Sequence, residues 1–221
     1  MDESNEGSTG DRLIAEVLAS GDDDAAYSLL QEYFDGYPIE SLRKLFASRD
    51  ERVVKAGAWL ASELGRQVGP LMEELGELAV HSSSFVRFFV LDSILLAATG
   101  SDGRVIARAV QCISDGDRAV RWKTLMFLSR ALHDQLEASM PYLRPELETQ
   151  LAWLLASTER SDQESVLERL SSNSAVGRLV AVAAAARIGR HHPEALRVAV
   201  NSDDPEVRTF AQEEMERLGL A

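Results

Sequence analysis

Cysteine, aromatic residues and lysine are scarce in this 221-residue chain. The single cysteine, Cys112, excludes an internal disulfide framework, and no ligand-type residues flank it. The plain reading is a buried, reduced thiol, from which a cytoplasmic setting is expected. No run of 18 apolar residues occurs, which excludes a membrane-spanning helix. The N-terminus is polar and acidic rather than a secretory signal. Alternating Val/Ile/Thr runs never extend beyond a few residues, so no strand is expected. There is no glycine-rich phosphate loop, no Ser-His-Asp order and no cysteine cluster. His191 and His192 are adjacent, so on a helix they would point about 100° apart and could not share one ion unaided. His81 and His133 stand alone. No catalytic residue, metal ligand or cofactor is therefore assigned.

What remains is 45% hydrophobic and 27% charged, long enough for a continuous core and dominated by alanine and leucine. The net charge of −13 is unevenly spread. Residues 1–36 hold ten carboxylates and one arginine, whereas residues 37–221 carry a net −4. Such a chain is a poor non-specific binder of phosphate backbones, which disfavours nucleic acid as a partner.

One phrase recurs without being copied: Asp50-Glu-Arg-Val53, Ser83-Ser-Phe-Val86-Arg87, Asp117-Arg-Ala-Val120-Arg121 and Asp204-Pro-Glu-Val207-Arg208, with a weaker version at Ser174-Ala-Val176. The valines lie 33, 34, 56 and 31 residues apart. The long gap has room for a degenerate unit centred on Glu146–Leu155. The aspartates suit helix N-caps, and Pro205 suits a first helical position. The arginines are placed to pair with aspartates of neighbouring units. Gly69-Pro70, Gly100-Ser-Asp-Gly103, Ser114–Asp117, Ser171–Ser174 and Asn201–Pro205 fall where helical hairpins would turn. A period near 30 residues made of helix pairs predicts an all-α fold, a right-handed α-α superhelix of about six helix pairs. The expected organisation is a disordered acidic leader over residues 1–10 and a single helical-repeat domain over 11–221, whose first helix is Asp11 to Ser20.

The Asp-x-x-Val-Arg phrases, with Leu64-Gly65 and Leu218-Gly219 closing two units, resemble the HEAT repeats of the HEAT/armadillo-like α-solenoids over roughly residues 38–220. The resemblance implies that the second helices line a concave, partner-binding surface. Taking the second-helix valine as zero, positions 0, 4, 8 and 11 point inward and positions 2, 6 and 10 away. The outward set is Lys55, Trp59 and Glu63, then Phe88, Asp92 and Leu96, then Trp122, Met126 and Arg130. Starting the degenerate unit at Leu147 adds Trp153, so all three tryptophans fall on the expected surface. Exposed indoles are frequent anchors in binding grooves.

Asp92 interrupts an apolar helix, where a carboxylate is costly unless paired. The favoured reading is an ion pair with Arg130, Arg121 or Lys123; the other is a partner-facing or catalytic acid. Phe88, Asp92, Trp122 and Arg130 also resemble, in residue kind, the constellation of HEAT-like alkylpurine DNA glycosylases. That resemblance implies a basic surface, whereas residues 104–144 reach only +3 within an acidic chain. The stretch Tyr33-Phe-Asp-Gly-Tyr37-Pro, with Gly57-Ala-Trp59 and Val86–Asp92, is similar to small bacterial HEAT-like immunity-type proteins. The expectation is a non-catalytic protein-binding module whose Lys55, Trp59, Glu63, Phe88, Asp92, Trp122, Met126, Arg130 and Trp153 meet a basic protein, the narrower form of that expectation being an immunity-type inhibitor of a basic toxin or effector. The alternative is a glycosylase acting on alkylated bases.

Overall fold

A computed structural model describes residues 8–220, and every regular element among them is helical. The packing gathers into two compact units, one ending at Ala97 and one beginning at Ala98.

The first unit holds α1 (Thr9–Ser20), α2 (Asp23–Phe34), α3 (Leu42–Phe46), α4 (Glu51–Leu64), α5 (Met72–Leu78) and α6 (Ser84–Ala97). Helix α1 begins at Thr9 because Ser8 and Asp11 form a reciprocal capping box. The expected leader thus gives way to helix at Thr9, and its residues 1–7 lie outside the described region. Helix α4 packs between α2 and α6, and α5 covers α6. The inward positions of the sequence frame are all buried in α4: Val53, Gly57, Ala61 and Leu64. In α6, Val86, Val90 and Ile94 are likewise buried.

The second unit holds α7 (Gly103–Gln111), α8 (Arg118–Arg130), α9 (His133–Ser139), α10 (Pro145–Glu159), α11 (Gln163–Leu170), α12 (Ala175–Ile188), α13 (Glu194–Ala199) and α14 (Pro205–Leu218). Helix α12 is its centre and packs against α8, α10, α11, α13 and α14. Every residue from Leu179 to Ala186 is buried. A helix enclosed on all sides needs small side chains so that its neighbours can approach, which explains the run Ala183–Ala186. Helix α8 lies along α12, so the extra segment α9–α11 does not supply the next second helix after α8.

The recurring phrase is a cap with a second, unanticipated part. Asp22, Asp50, Asp117, Ser174 and Asp204 accept backbone N–H groups of the helices they start. Two residues before each, a side chain accepts the capping residue's own N–H: Ser20, Ser48, Asp115, Ser172 and Ser202, at 2.8–3.2 Å. His81 Nδ1 does the same for Ser83 ahead of α6, at 3.1 Å. Four arginines then reach back to the carbonyl of that same residue: Arg87 to His81, Arg121 to Asp115, Arg178 to Ser172 and Arg208 to Ser202, at 2.6–2.9 Å. A guanidinium near a helix N-terminus opposes the helix dipole. The carbonyl offsets that cost and locks the turn.

Three residues beyond the cap lies the fully buried Val53, Val120 or Val207. In α12 that place belongs to Gly177, which is buried, whereas Val176 is only half-buried. The sequence alignment on Val176 is therefore one residue out of register. The same offset in α2 gives Ala25, which makes α2 a further second helix that the valine spacing does not reveal. Gly65 and Gly219, expected to close units, adopt φ of 54° and 69°, the left-handed region that glycine enters without strain.

The second unit has arginine pairs between helices, but not the ladder expected from the sequence: Arg121 meets a glutamate rather than an aspartate, and the aspartate Asp204 is held by Arg178, outside the expected set. Arg178 bonds Asp204 at 2.9 Å, and Arg121 forms a two-pronged pair with Glu206. Arg130 and Arg217 both bond Glu214, which is 2% exposed. Carboxylates of α14 are thus held by arginines of α8 and α12.

Candidate functional site

In the first unit, the outward positions of α2 and α4 meet the start of α6 around an open cleft of about 560 Å³. Its walls are aromatic: Tyr27 of α2, Trp59 of α4 and Phe85 of α6. Tyr27 and Trp59 lie nearly parallel, with centroids 6.3 Å apart and planes inclined by 18°. Tyr27 is 61% and Phe85 46% exposed, so two of the three aromatic walls keep a large part of their surface open. Phe85 is buttressed by Phe89 at 4.7 Å, which in turn meets Phe88 edge-on.

The charged groups of the cleft are Asp23, Asp24, Arg52 and Lys55. Both cations are occupied: Arg52 bonds Asp50 at 2.7 Å, and Lys55 bonds Glu51 at 2.8 Å with its ammonium 5.8 Å from the Phe85 centroid. The Lys55 hydrogen bond and then that of Ser83 hold Glu51 below the ordinary carboxylate range. Asp23 and Asp24 are exposed, and no described residue pairs with their carboxylates.

The residues read from the sequence divide as follows. Lys55 and Trp59 line the cleft, and Glu63 is exposed one helical turn beyond Trp59. Phe88 and Asp92 are half-buried on α6, and Leu96 is 48% exposed. Two of the cations expected to neutralise Asp92 are engaged elsewhere, Arg121 by Glu206 and Arg130 by Glu214.

In the second unit, Trp122 and Met126 are half-buried on α8. The Trp122 indole N–H is enclosed without an acceptor, and Lys123 Nζ lies 5.5 Å from the ring. Arg130 is a structural tie to α14 rather than a free cation. Trp153 departs from the expected surface. It sits on α10, its N–H donates to Ser165 of α11 at 3.0 Å, and Arg169 stacks 4.2 Å from its ring centroid. The physical reason is the packing of α8 against α12, which removes α10 from the place the 56-residue gap suggested.

Sequence reasoning missed Tyr27 and Phe85. Tyr27 had a legible signal, since Ser20-Gly-Asp22 carries the same two-part cap and puts Tyr27 at outward position 2. Phe85 precedes the buried Val86 and had none. Tyr33 and Tyr37, part of the immunity-like stretch, are structural: Tyr33 bonds Ser41 at 2.7 Å, and Tyr37 donates to Asp11 at 2.9 Å. Burial pushes the Tyr33 phenol well above its ordinary range.

Among the described residues no group of three or more His, Cys, Asp or Glu side chains is arranged to hold a metal, and no helix is long and apolar enough to cross a membrane.

No family model matches the sequence, and no curated protein does. Solved structures do match in fold. One engineered protein superimposes with a TM-score of 0.55 at 16% identity, covering 96% of this chain and 97% of its own. A second gives 0.54 at 16%, covering 97% and 100%. A designed armadillo repeat protein gives 0.50 at 15%, covering 94% and 98%. The capped hairpins and these likenesses define an α-helical repeat protein. Within that class the fold is of the HEAT/armadillo-like kind, as the Asp-x-x-Val-Arg phrases implied.

Proposed function

We propose that this protein is a non-catalytic protein-binding module that meets a basic partner through the outward faces of its second helices. The carrying observation is the open Tyr27–Trp59–Phe85 cleft beside two unpaired carboxylates. Aromatic side chains supply large contact area at little entropic cost, and clustered anchors of this kind dominate interface energetics. The strongly acidic first 36 residues would accelerate encounter with a cationic protein. A narrower role, neutralising a basic toxin or effector in the cytoplasm, agrees with that charge and with the immunity-type resemblance.

The test is affinity capture from the native host with the purified chain. A single stoichiometric basic protein is expected, with capture weakened by Trp59→Ala and by Trp122→Ala while both variants keep their helical content. Undiminished capture by both variants would remove the aromatic faces from the interface. Titration with alkylated duplex DNA at low salt tests the glycosylase alternative. Tight binding with base release, abolished by Asp92→Asn, would overturn the non-catalytic reading.

A further inference from the structure

We propose that the Tyr27–Trp59–Phe85 cleft is a receptor for an arginine side chain presented by the partner protein; this deepens the protein-binding reading and rests on it. The cleft has walls of one chemistry and a lip of another. Three aromatic side chains line it, and ring faces attract cations through their quadrupoles, arginine more often than lysine because the planar guanidinium also stacks. The chain's own Lys55 illustrates the attraction, with its ammonium 5.8 Å from the Phe85 centroid. Lys55 does not fill the site, because Glu51 holds it at 2.8 Å. The inclined pair Tyr27 and Trp59 offers faces that a flat group can lie against.

The lip sets the sign of the charge. Arg52 and Lys55 are each neutralised by a neighbour, which leaves Asp23 and Asp24 uncompensated. Both lie in the first turn of α2 behind the capping Asp22. A helix N-terminus presents only about half a positive charge, so three carboxylates there exceed what the dipole can balance. The surplus is negative, and a carboxylate is the group that meets a guanidinium in two-pronged fashion. An apolar side chain would use the rings and leave the surplus unanswered. An acidic one would be repelled. Three ring walls, an unpaired diaspartate lip and pre-neutralised local cations together select arginine.

Nuclear magnetic resonance titration of the full chain tests this with acetyl-Gly-Arg-Gly-amide, the citrulline peptide, which keeps the shape without the charge, and the leucine peptide. The arginine peptide is expected to shift the Trp59 indole N–H and the Tyr27 amide saturably, with the citrulline and leucine peptides weaker by about fivefold or more. Tyr27→Ala and the double variant Asp23→Asn/Asp24→Asn should each weaken the arginine peptide by a similar factor. Tyr27 is 61% exposed, so its truncation leaves the fold intact, which a thermal melt verifies. Equal shifts from the citrulline or leucine peptide would overturn the proposal, as would an arginine response unchanged by the variants. A captured partner that depends on Trp59 but not on Asp23, Asp24 or Tyr27 would sink the arginine receptor and leave the protein-binding reading standing.

Discussion

Arginine 178 shows how much one side chain can join. Its guanidinium reaches the Ser172 carbonyl at 2.9 Å and the Asp204 carboxylate at 2.9 Å, locking its own turn and holding the cap of α14. Burial pushes the Asp204 carboxyl up, but hydrogen bonds from Arg178 and from the Glu206 and Val207 N–H groups outweigh it and hold the pKa below its ordinary value. A lysine has one compact ammonium and cannot serve both acceptors in that geometry. Arg178→Lys should therefore destabilise the protein by about 1 kcal/mol, read as a lowered urea midpoint with an unchanged slope. Asp204→Ala removes cap and ion pair together and should cost about 2 kcal/mol, whereas Asp204→Asn keeps the cap and should cost less. Equal losses from the two would mean that the cap contributes nothing.

Helices in this chain start where local chemistry dictates and meet where small residues permit. The two-part cap is local, so the starts of α4, α8 and α14 could be read directly from Asp50, Asp117 and Asp204. The start of α2 at Asp22 was equally legible, but its role as a second helix escaped because Ala25 stands where the other units have valine, and Tyr27 escaped with it. Contacts between helices have no such local marker. A Cβ at Gly103 would lie 2.1 Å from the Ala138 carbonyl oxygen of α9, closer than any real contact. Gly103→Ala should force α7 and α9 apart and lower stability by about 2 kcal/mol, a fall in melting temperature of about 4–8 °C. An unchanged melting temperature would contradict the close approach of these two helices.

For the whole chain, charge decides the response to pH. Five carboxylates lie below their ordinary values: Asp11 and Asp50, whose reference is 3.8, Glu51 and Glu74, whose reference is 4.5, and Asp204. The causes are hydrogen bonds from Ser8 and Tyr37 for Asp11, from Arg52 for Asp50, and from Lys55 and Ser83 for Glu51. At Glu74 burial opposes the shift, and the Arg43 pair outweighs it. Groups depressed in the folded state bind fewer protons there than in the unfolded state. Their stabilisation is complete above the unfolded values and is lost as pH falls through the folded ones. Thermal melts should hold level from pH 7 to about 5 and fall as pH drops below about 4.5. A melting temperature that rises through that range would show self-repulsion among the acids to be the larger effect.

Periodicity and cap chemistry were enough to establish an all-helical repeat, the burial of Val53, Val86, Val120 and Val207, and the outward placement of Trp59, because each depends on residues within one or two helical turns. The partners of each helix were settled by packing. Alanines of α12 let α8 come alongside, so Trp153 faces Arg169 and Ser165 instead of joining Trp122. The aromatic cleft likewise took shape only when α2, α4 and α6 were brought together, since Tyr27, Trp59 and Phe85 are far apart in the chain and no spacing rule connects them.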